Sequence, residues 1–170
     1  SPMISDPLHL LDSCLVTDGA GAIVMTTAEH ARALGVQPIY VRGFGESHTH
    51  WSIANMPDLA WHTAAERSGR DALRMAGVGL NAIDLVEIYD SFTITVLMTL
   101  EALGFCGRGE SGRFVAESRI APGGSFPMNT NGGGLSYAHP GMYGIFLLIE
   151  AVRQLRHECG ERQVAGASTA

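Results

Sequence analysis

Residues 129–141 read NTNGGGLSYAHPG: two asparagines, three consecutive glycines, and a histidine followed by a proline and a fourth glycine. Histidine is the side chain best suited to move a proton near neutral pH. Glycines let main-chain N–H groups approach a ligand that side chains would block. The run therefore reads either as a tight turn or as a place where backbone donors and His139 converge on a developing oxyanion. The residue before a proline is biased towards extended backbone. Pro140 is predicted in the first turn of a helix over 141–159, where its missing N–H costs least. His139 would then face the positive end of that helix, a setting that suits a neutral imidazole. Spacing alone leaves a structural histidine beside a turn and a catalytic one both open.

Other candidates carry less chemistry. His48 and His50 in SHTH, with His62, offer imidazoles in a loop without a carboxylate, so no metal site is predicted. GFGES lacks the full dinucleotide fingerprint and reads as a turn. Cys14, Cys106 and Cys159 are odd in number, scattered and free of any CxxC spacing, as expected of free thiols in a reducing compartment such as the cytoplasm. The net charge of −6 excludes the clustered basic surface that nucleic acid requires. Arg67, Arg70 and Arg74 share one helical face, read as solvated. Apolar runs fall short of the ~18 residues a bilayer span needs, and SPMISDPLHLLDS has no basic leader-like start.

These residues need a frame to position them. At 170 residues the chain fits one domain. Its 16% charged content, against a usual ~25%, implies additional buried surface at a subunit or domain interface. Strands are predicted at 18–26, 38–45, 82–90 and 162–170, and helices at 27–36, 63–77, 91–105 and 141–159. The last helix has a stripe of Met142, Ile145, Phe146, Ile149 and Val152 and ends at Gly160. A long glycine-rich loop over 106–134, with a short strand at 113–117, precedes the histidine run. This order predicts an α/β fold with helices covering a sheet, interrupted where the chain stops.

NTNGGGLSYAHPG resembles the thiolase segment in which an Asn-x-Asn-Gly-Gly run precedes a His-Pro. LLDSCLVTDGAGAIVMT resembles the stretch that opens the thiolase C-terminal domain. AAERSGRDALRMAGVGLNAIDLVEIYDSFT is similar to the helix, strand and turn that carry the thiolase Asn-Glu-Ala-Phe motif. The variant residues are most similar to the sterol-carrier-protein thiolase and lipid-transfer branch. The resemblance covers nearly all of residues 1–170. It implies a thiolase-like C-terminal domain, a mixed sheet of about four to five strands with helices on both faces, incomplete at its C-terminus and lacking the N-terminal half that holds the nucleophilic cysteine.

The resemblance also assigns roles. His139 would sit in the active site. Tyr89 stands where the family has Asn, or His in this branch, to order an oxyanion water; a tyrosine there still donates one hydrogen bond, or serves as acid or base in carbon–carbon cleavage. Cys14 falls where a small residue lines the pantetheine tunnel. Phe92 either packs on the acyl chain or fills core, and Asp90 orients neighbours at the strand end. Asn131, Gly133 and Gly141 belong to the substrate-binding motif. The implied activity is that of an acetyl-CoA acyltransferase acting on acyl-CoA or 3-oxoacyl-CoA, with the coenzyme A thioester as substrate and no further cofactor. Its partners would be the protein's own N-terminal half and a second copy in a homodimer. The alternatives are a retro-aldolase that cleaves a CoA-ester side chain and a non-catalytic acyl-CoA-binding subunit. Residues 1–170 alone are expected to be inactive in thiolysis.

Overall fold

The computed structural model describes residues 1–61 and 64–170. The chain opens with a small antiparallel pair, β1 (Met3–Ser5) and β2 (Leu8–His9), registered Met3 to His9 and Ser5 to Leu8. Among the described residues six α-helical segments follow: α1 (Ala28–Ala33), α2 (Ala65–Ala76), α3 (Thr93–Leu103), α4 (Ser111–Val115), the single turn α5 (Gly133–Ser136) and α6 (Gly144–Leu155). Their starts and stops follow local chemistry. The Thr27 hydroxyl accepts the His30 N–H at 3.2 Å to open α1. Gly77 and Gly104 close α2 and α3 in the left-handed region. On α2, Arg67, Arg70 and Arg74 are exposed as predicted. His62 and Thr63, and with them the predicted start of that helix, lie outside the described residues.

The predicted sheet is largely missing from the described residues. Besides β1 and β2 there are only two isolated bridges, Ser13 with Phe92 and Val86 with Met128. The segments 18–26 and 38–45 carry the apolar composition of strands but lie against helices instead. A Cβ on Gly21 would stand 2.6 Å from Ile149 Cδ1 of α6, and one on Gly43 would overlap the Ala72 carbonyl of α2. Val16, Val24 and Trp51 are left fully exposed. Of 162–170, only the end pairs: the Asp84 N–H donates to the Thr169 carbonyl at 2.9 Å, and the Asp84 carboxylate accepts from Ser168 and Thr169. Those bonds hold the Asp84 carboxyl below its usual range.

The core forms where α3 crosses the 83–90 segment. Val86, Ile88, Val96 and Leu100 are its buried centre, surrounded by Ile83, Leu103, Phe105, Phe114, Phe126 and Met128. Phe126 meets Phe105 and Phe114 edge to face, with centroids 4.8 and 5.1 Å apart. Residues 113–115 of the predicted strand at 113–117 lie in the helical turn α4 instead, because the buried Glu101 carboxylate on α3 accepts both the N–H (3.1 Å) and the hydroxyl (2.6 Å) of Ser111. The 106–134 stretch is thus tied down by α4 and by turn bonds rather than by a strand. Helix α6 also differs from its apolar pattern: its fully buried residues are Glu150 and Gln154, while Leu148 is exposed.

Candidate active site

Three segments meet at the end of the 83–90 run. The Val86 N–H donates to the Pro127 carbonyl and the Asn129 N–H to the Val86 carbonyl, 3.1 and 3.0 Å. The Asn129 side chain then extends this pairing by one residue, accepting the Ile88 N–H and donating to the Ile88 carbonyl, both at 2.8 Å. The third segment docks at residues 14 and 15, where the Cys14 N–H donates to Ser91 O at 2.9 Å and the Leu15 N–H to Gly134 O at 3.0 Å. Sequence positions 14–17, 86–92 and 129–143 are thereby brought into one place.

Two of the glycines at 132–134, Gly133 and Gly134, turn out to serve a protein carboxylate. Asp90 is 3% exposed and accepts the N–H groups of Gly134 at 2.7 Å and Leu135 at 3.2 Å. The Gly133 N–H is engaged by Asn131 Oδ1 at 2.9 Å. Gly133 has φ +63°, and a Cβ on it would overlap Asp90 Oδ2. A Cβ on Gly134 would stand 2.8 Å from His139 Cδ2. Close approach to Asp90 and His139 therefore requires glycine at these two positions. Asp90 has the orienting role expected of it.

His139 lies within this frame. Its N–H donates to Thr17 Oγ1 at 2.8 Å, and its ring meets Tyr89 edge to face, centroids 5.3 Å apart at 67°. On another side it stacks on Tyr143 with 13° between planes and 6.1 Å between centroids. The Nε2 atom is buried and has no hydrogen-bond partner among the described residues. Helix α6 begins at Gly144, so Pro140 precedes it and does not occupy its first turn. The intervening bend, which carries Gly141 at φ +79°, separates His139 from the helix end, so the predicted helix-terminus setting does not apply. Packing between two tyrosine rings takes its place.

The remaining predicted residues fall around this centre. Asn131 Oδ1 also accepts the Tyr143 hydroxyl at 3.1 Å, which links it to the ring stacked on His139. Phe92 is 41% exposed and outside the core cluster, so it does not fill core. Burial above all, with contributions from Cys14 and Asp90, pushes the Tyr89 hydroxyl's pKa up. Gly141 is exposed and closes the bend by donating to His139 O at 3.0 Å. His48 pairs with Glu46 and His50 with Thr49 on the surface, and His62 lies outside the described residues. The three cysteines are free. No helix among the described residues is long and apolar enough to cross a membrane.

Two contributors were not anticipated. Thr17 sits inside the VTDGAGA stretch that carries a family resemblance, and that is the only signal for it. Tyr143 is fully buried, and its hydroxyl is pushed up to about 12 chiefly by burial. A tyrosine four residues after the histidine reads as part of a helix face, not as a ring stacked on the histidine.

The chain is similar to known proteins over nearly all of its length. The chain is 37% identical over 98% of its length to an acetyl-CoA acetyltransferase of Methanothermobacter thermautotrophicus, covering 44% of that protein. It is 40% identical over 92% of its length to a 17-hydroxy-3-oxo-4-pregnene-20-carboxyl-CoA lyase of Mycobacterium tuberculosis, covering 41% of it. Among solved structures, the Ltp2-ChsH2(DUF35) aldolase superposes with a TM-score of 0.84 at 30% identity, over 98% of this chain and 44% of the other. The chain thus spans less than half the length of these relatives. The family model described as thiolase C-terminal domain-like matches residues 45–170, which include Tyr89, Asp90, the glycine run and His139, and the chain belongs to that family.

Proposed function

We propose that this chain is the C-terminal half of a thiolase-like acyltransferase acting on acyl-CoA or 3-oxoacyl-CoA thioesters. The observation that carries the reading is His139 Nε2, buried and unpartnered beside Tyr89. An imidazole nitrogen held out of water suits two tasks: hydrogen-bonding a thioester oxygen as charge develops on it, and taking a proton from a nucleophile supplied by an N-terminal half. Tyr89, whose hydroxyl is pushed above its ordinary value chiefly by desolvation, would donate a second hydrogen bond. Cys14 and Phe92 would line the thioester's path, and Gly141 would shape the rim beside His139. Asn131 and Gly133 would act through the Asp90 and Tyr143 contacts. Coenzyme A enters as part of the substrate.

Exposed Val16, Val24 and Trp51 support the wider architecture in this reading. Apolar side chains of that size are expected to be covered. In the intact protein, the segments 18–26 and 38–45 would join a mixed sheet of four to five strands, with the N-terminal half and a second copy completing the cover. The setting would be cytoplasmic, and residues 1–170 alone would not catalyse thiolysis. A second reading, retro-aldol cleavage of a CoA-ester side chain, is favoured by Tyr89 and by similarity to a lyase and an aldolase. There Tyr89 would be the acid or base and no nucleophilic cysteine would be needed.

The test is His139→Ala in the intact protein. Turnover in thiolysis should fall by ~100-fold or more if Nε2 donates to an oxyanion. Near-normal turnover would refute the assignment. Should the wild type cleave carbon–carbon bonds but show no thiolysis, the aldolase reading would replace the first.

A further inference from the structure

Beneath the His139 site lies a buried polar cluster that the chemistry above does not use. Thr130 Oγ1 stands 3.1 Å from Glu87 Oε1 and 2.8 Å from Glu150 Oε1, and it accepts from Gln154 Nε2 at 2.9 Å. Glu150 is also paired with Arg162, which donates from Nε at 2.9 Å and from Nη2 at 3.1 Å. Among the described residues Glu87 has no cation: its Oε1 receives the Thr130 N–H at 3.3 Å besides the hydroxyl, and its Oε2 is buried without a partner.

A donor count decides the protonation. A threonine hydroxyl has one hydrogen, and two carboxylate oxygens face it. If it donates to Glu150, the closer and ion-paired one, then Glu87 Oε1 meets a lone pair. Two ionised carboxylates would leave that contact repulsive and Glu87 Oε2 a buried, uncompensated charge, which costs several kcal/mol. One additional proton on Glu87 gives the Thr130 contact its hydrogen and leaves Oε2 a neutral acceptor instead of part of a buried charge.

We propose that Glu87 holds a proton and is a positioning residue of the His139 site: its un-ionised carboxyl donates to Thr130 Oγ1, which donates to Glu150. Thr130 lies between Asn129, whose side chain brackets Ile88, and Asn131, which holds the hydroxyl of Tyr143. Tyr143 in turn stacks on His139. Fixing Thr130 thus fixes the ring beneath the reacting nitrogen. The groups that face Glu87 agree with this state. Burial raises its pKa to about 7 against the pull of the Thr130 bonds, and the charges of Glu150 and Asp90 add to the rise. Arg162 is engaged by Glu150, and Tyr143, the other titratable neighbour, is un-ionised.

Glu87→Gln tests this, because an amide supplies the donor and cannot ionise. The folded protein retains the Glu87 proton between the free value of 4.5 and about 7. Over that window the folded state binds more protons than the unfolded one, so wild-type stability falls as pH rises and levels off above it. In denaturant unfolding of the intact protein, the folding constant of Glu87→Gln relative to wild type should rise roughly 50-fold between about pH 5 and about pH 8. A ratio that stays constant overturns the proposal. The infrared spectrum of the wild type should also show, at about pH 6, an un-ionised carboxyl stretch that titrates away above neutrality and is missing from Glu87→Gln. If that variant does not fold, the wild-type band decides, and its absence overturns the proposal. Although the positioning role rests on the acyl-CoA reading, both measurements are made without substrate, so the protonation of Glu87 is tested whether or not that reading fails. With substrate, Glu87→Gln should lack an alkaline fall in turnover that the wild type shows.

Discussion

Replacing Gly133 with alanine probes the contact on which the site is built. At φ +63° an L-residue costs roughly 1–2 kcal/mol. The added Cβ would overlap Asp90 Oδ2 and come within 2.9 Å of Asn129 Nδ2. Asp90 has no room to retreat: it is 3% exposed and holds two N–H groups. A hydrogen bond to a charged group is worth about 1.5–3 kcal/mol. Losing one of the two, added to the backbone cost, gives a destabilisation of about 3–5 kcal/mol, a large fraction of a typical stability of about 5–15 kcal/mol. The assay is a double-mutant cycle with Asp90→Ala, read by denaturant unfolding of the intact protein. Without the carboxylate the methyl meets only the Asn129 amide, so in that background the backbone cost and that contact remain and the two changes should couple by about 2 kcal/mol. Additivity within about 0.5 kcal/mol would refute the claim that Gly133 is glycine because Asp90 lies against it.

Two further substitutions test the supports. Tyr143→Phe removes the hydroxyl that Asn131 accepts at 3.1 Å, which should cost about 1 kcal/mol in unfolding and lower turnover by loosening the ring under His139. Arg162→Met leaves the buried Glu150 carboxylate without its cation, at a cost of about 3 kcal/mol, the lower end for a buried pair because Arg162 is 35% exposed. Its pH dependence has a definite sign. Burial would raise the Glu150 pKa, but Arg162 and Thr130 outweigh it and hold the carboxyl below its usual range. The wild type therefore loses this stabilisation as pH falls below that range, whereas Arg162→Met should show little of that acid loss.

What the sequence revealed divides along physical lines. Helices α2 and α3 were legible because glycine stops and apolar spacing are local signals, and His139 was legible because HPG after an Asn-Gly run is a compact motif. The strands expected at 18–26 and 38–45 are not formed among the described residues, because pairing depends on neighbours that a local pattern does not specify. Ser111 shows the same limit: RFVAE has strand composition, yet the buried Glu101 ten residues earlier captures its start and winds it into a turn. The purpose of the glycines was half legible. Their crowding signalled close approach, but the anion they approach is Asp90, far from Gly133 in sequence, and no spacing rule connects the two. The polar face of α6 was hidden for a related reason, since Glu150 and Gln154 interrupt an apolar stripe only to meet Thr130 and Arg162, partners invisible from the helix alone.

The alternation at residues 88–90 bears on how such a site can change its reaction. Ile88 and Asp90 are buried at 5% and 3%, whereas Tyr89 between them is 36% exposed. Asp90 organises the 133–135 turn and Ile88 belongs to the core, so both are tied to the scaffold. Tyr89 meets His139 but supports neither. A substitution there should leave the frame standing: Tyr89→Asn would lose the ring contact, at about 1 kcal/mol, and keep every hydrogen bond to Asp90. The consequence should appear in the chemistry instead. If Tyr89 is an acid or base in carbon–carbon cleavage, Tyr89→Asn should abolish that cleavage in the intact protein while stability changes by no more than about 1 kcal/mol. If it only helps to hold a thioester oxygen, the amide can hold it too, and thiolysis should survive within about tenfold. A loss of stability well above the ring contact would mean that Tyr89 belongs to the scaffold after all, and the separation of frame from chemistry at residues 88–90 would fail.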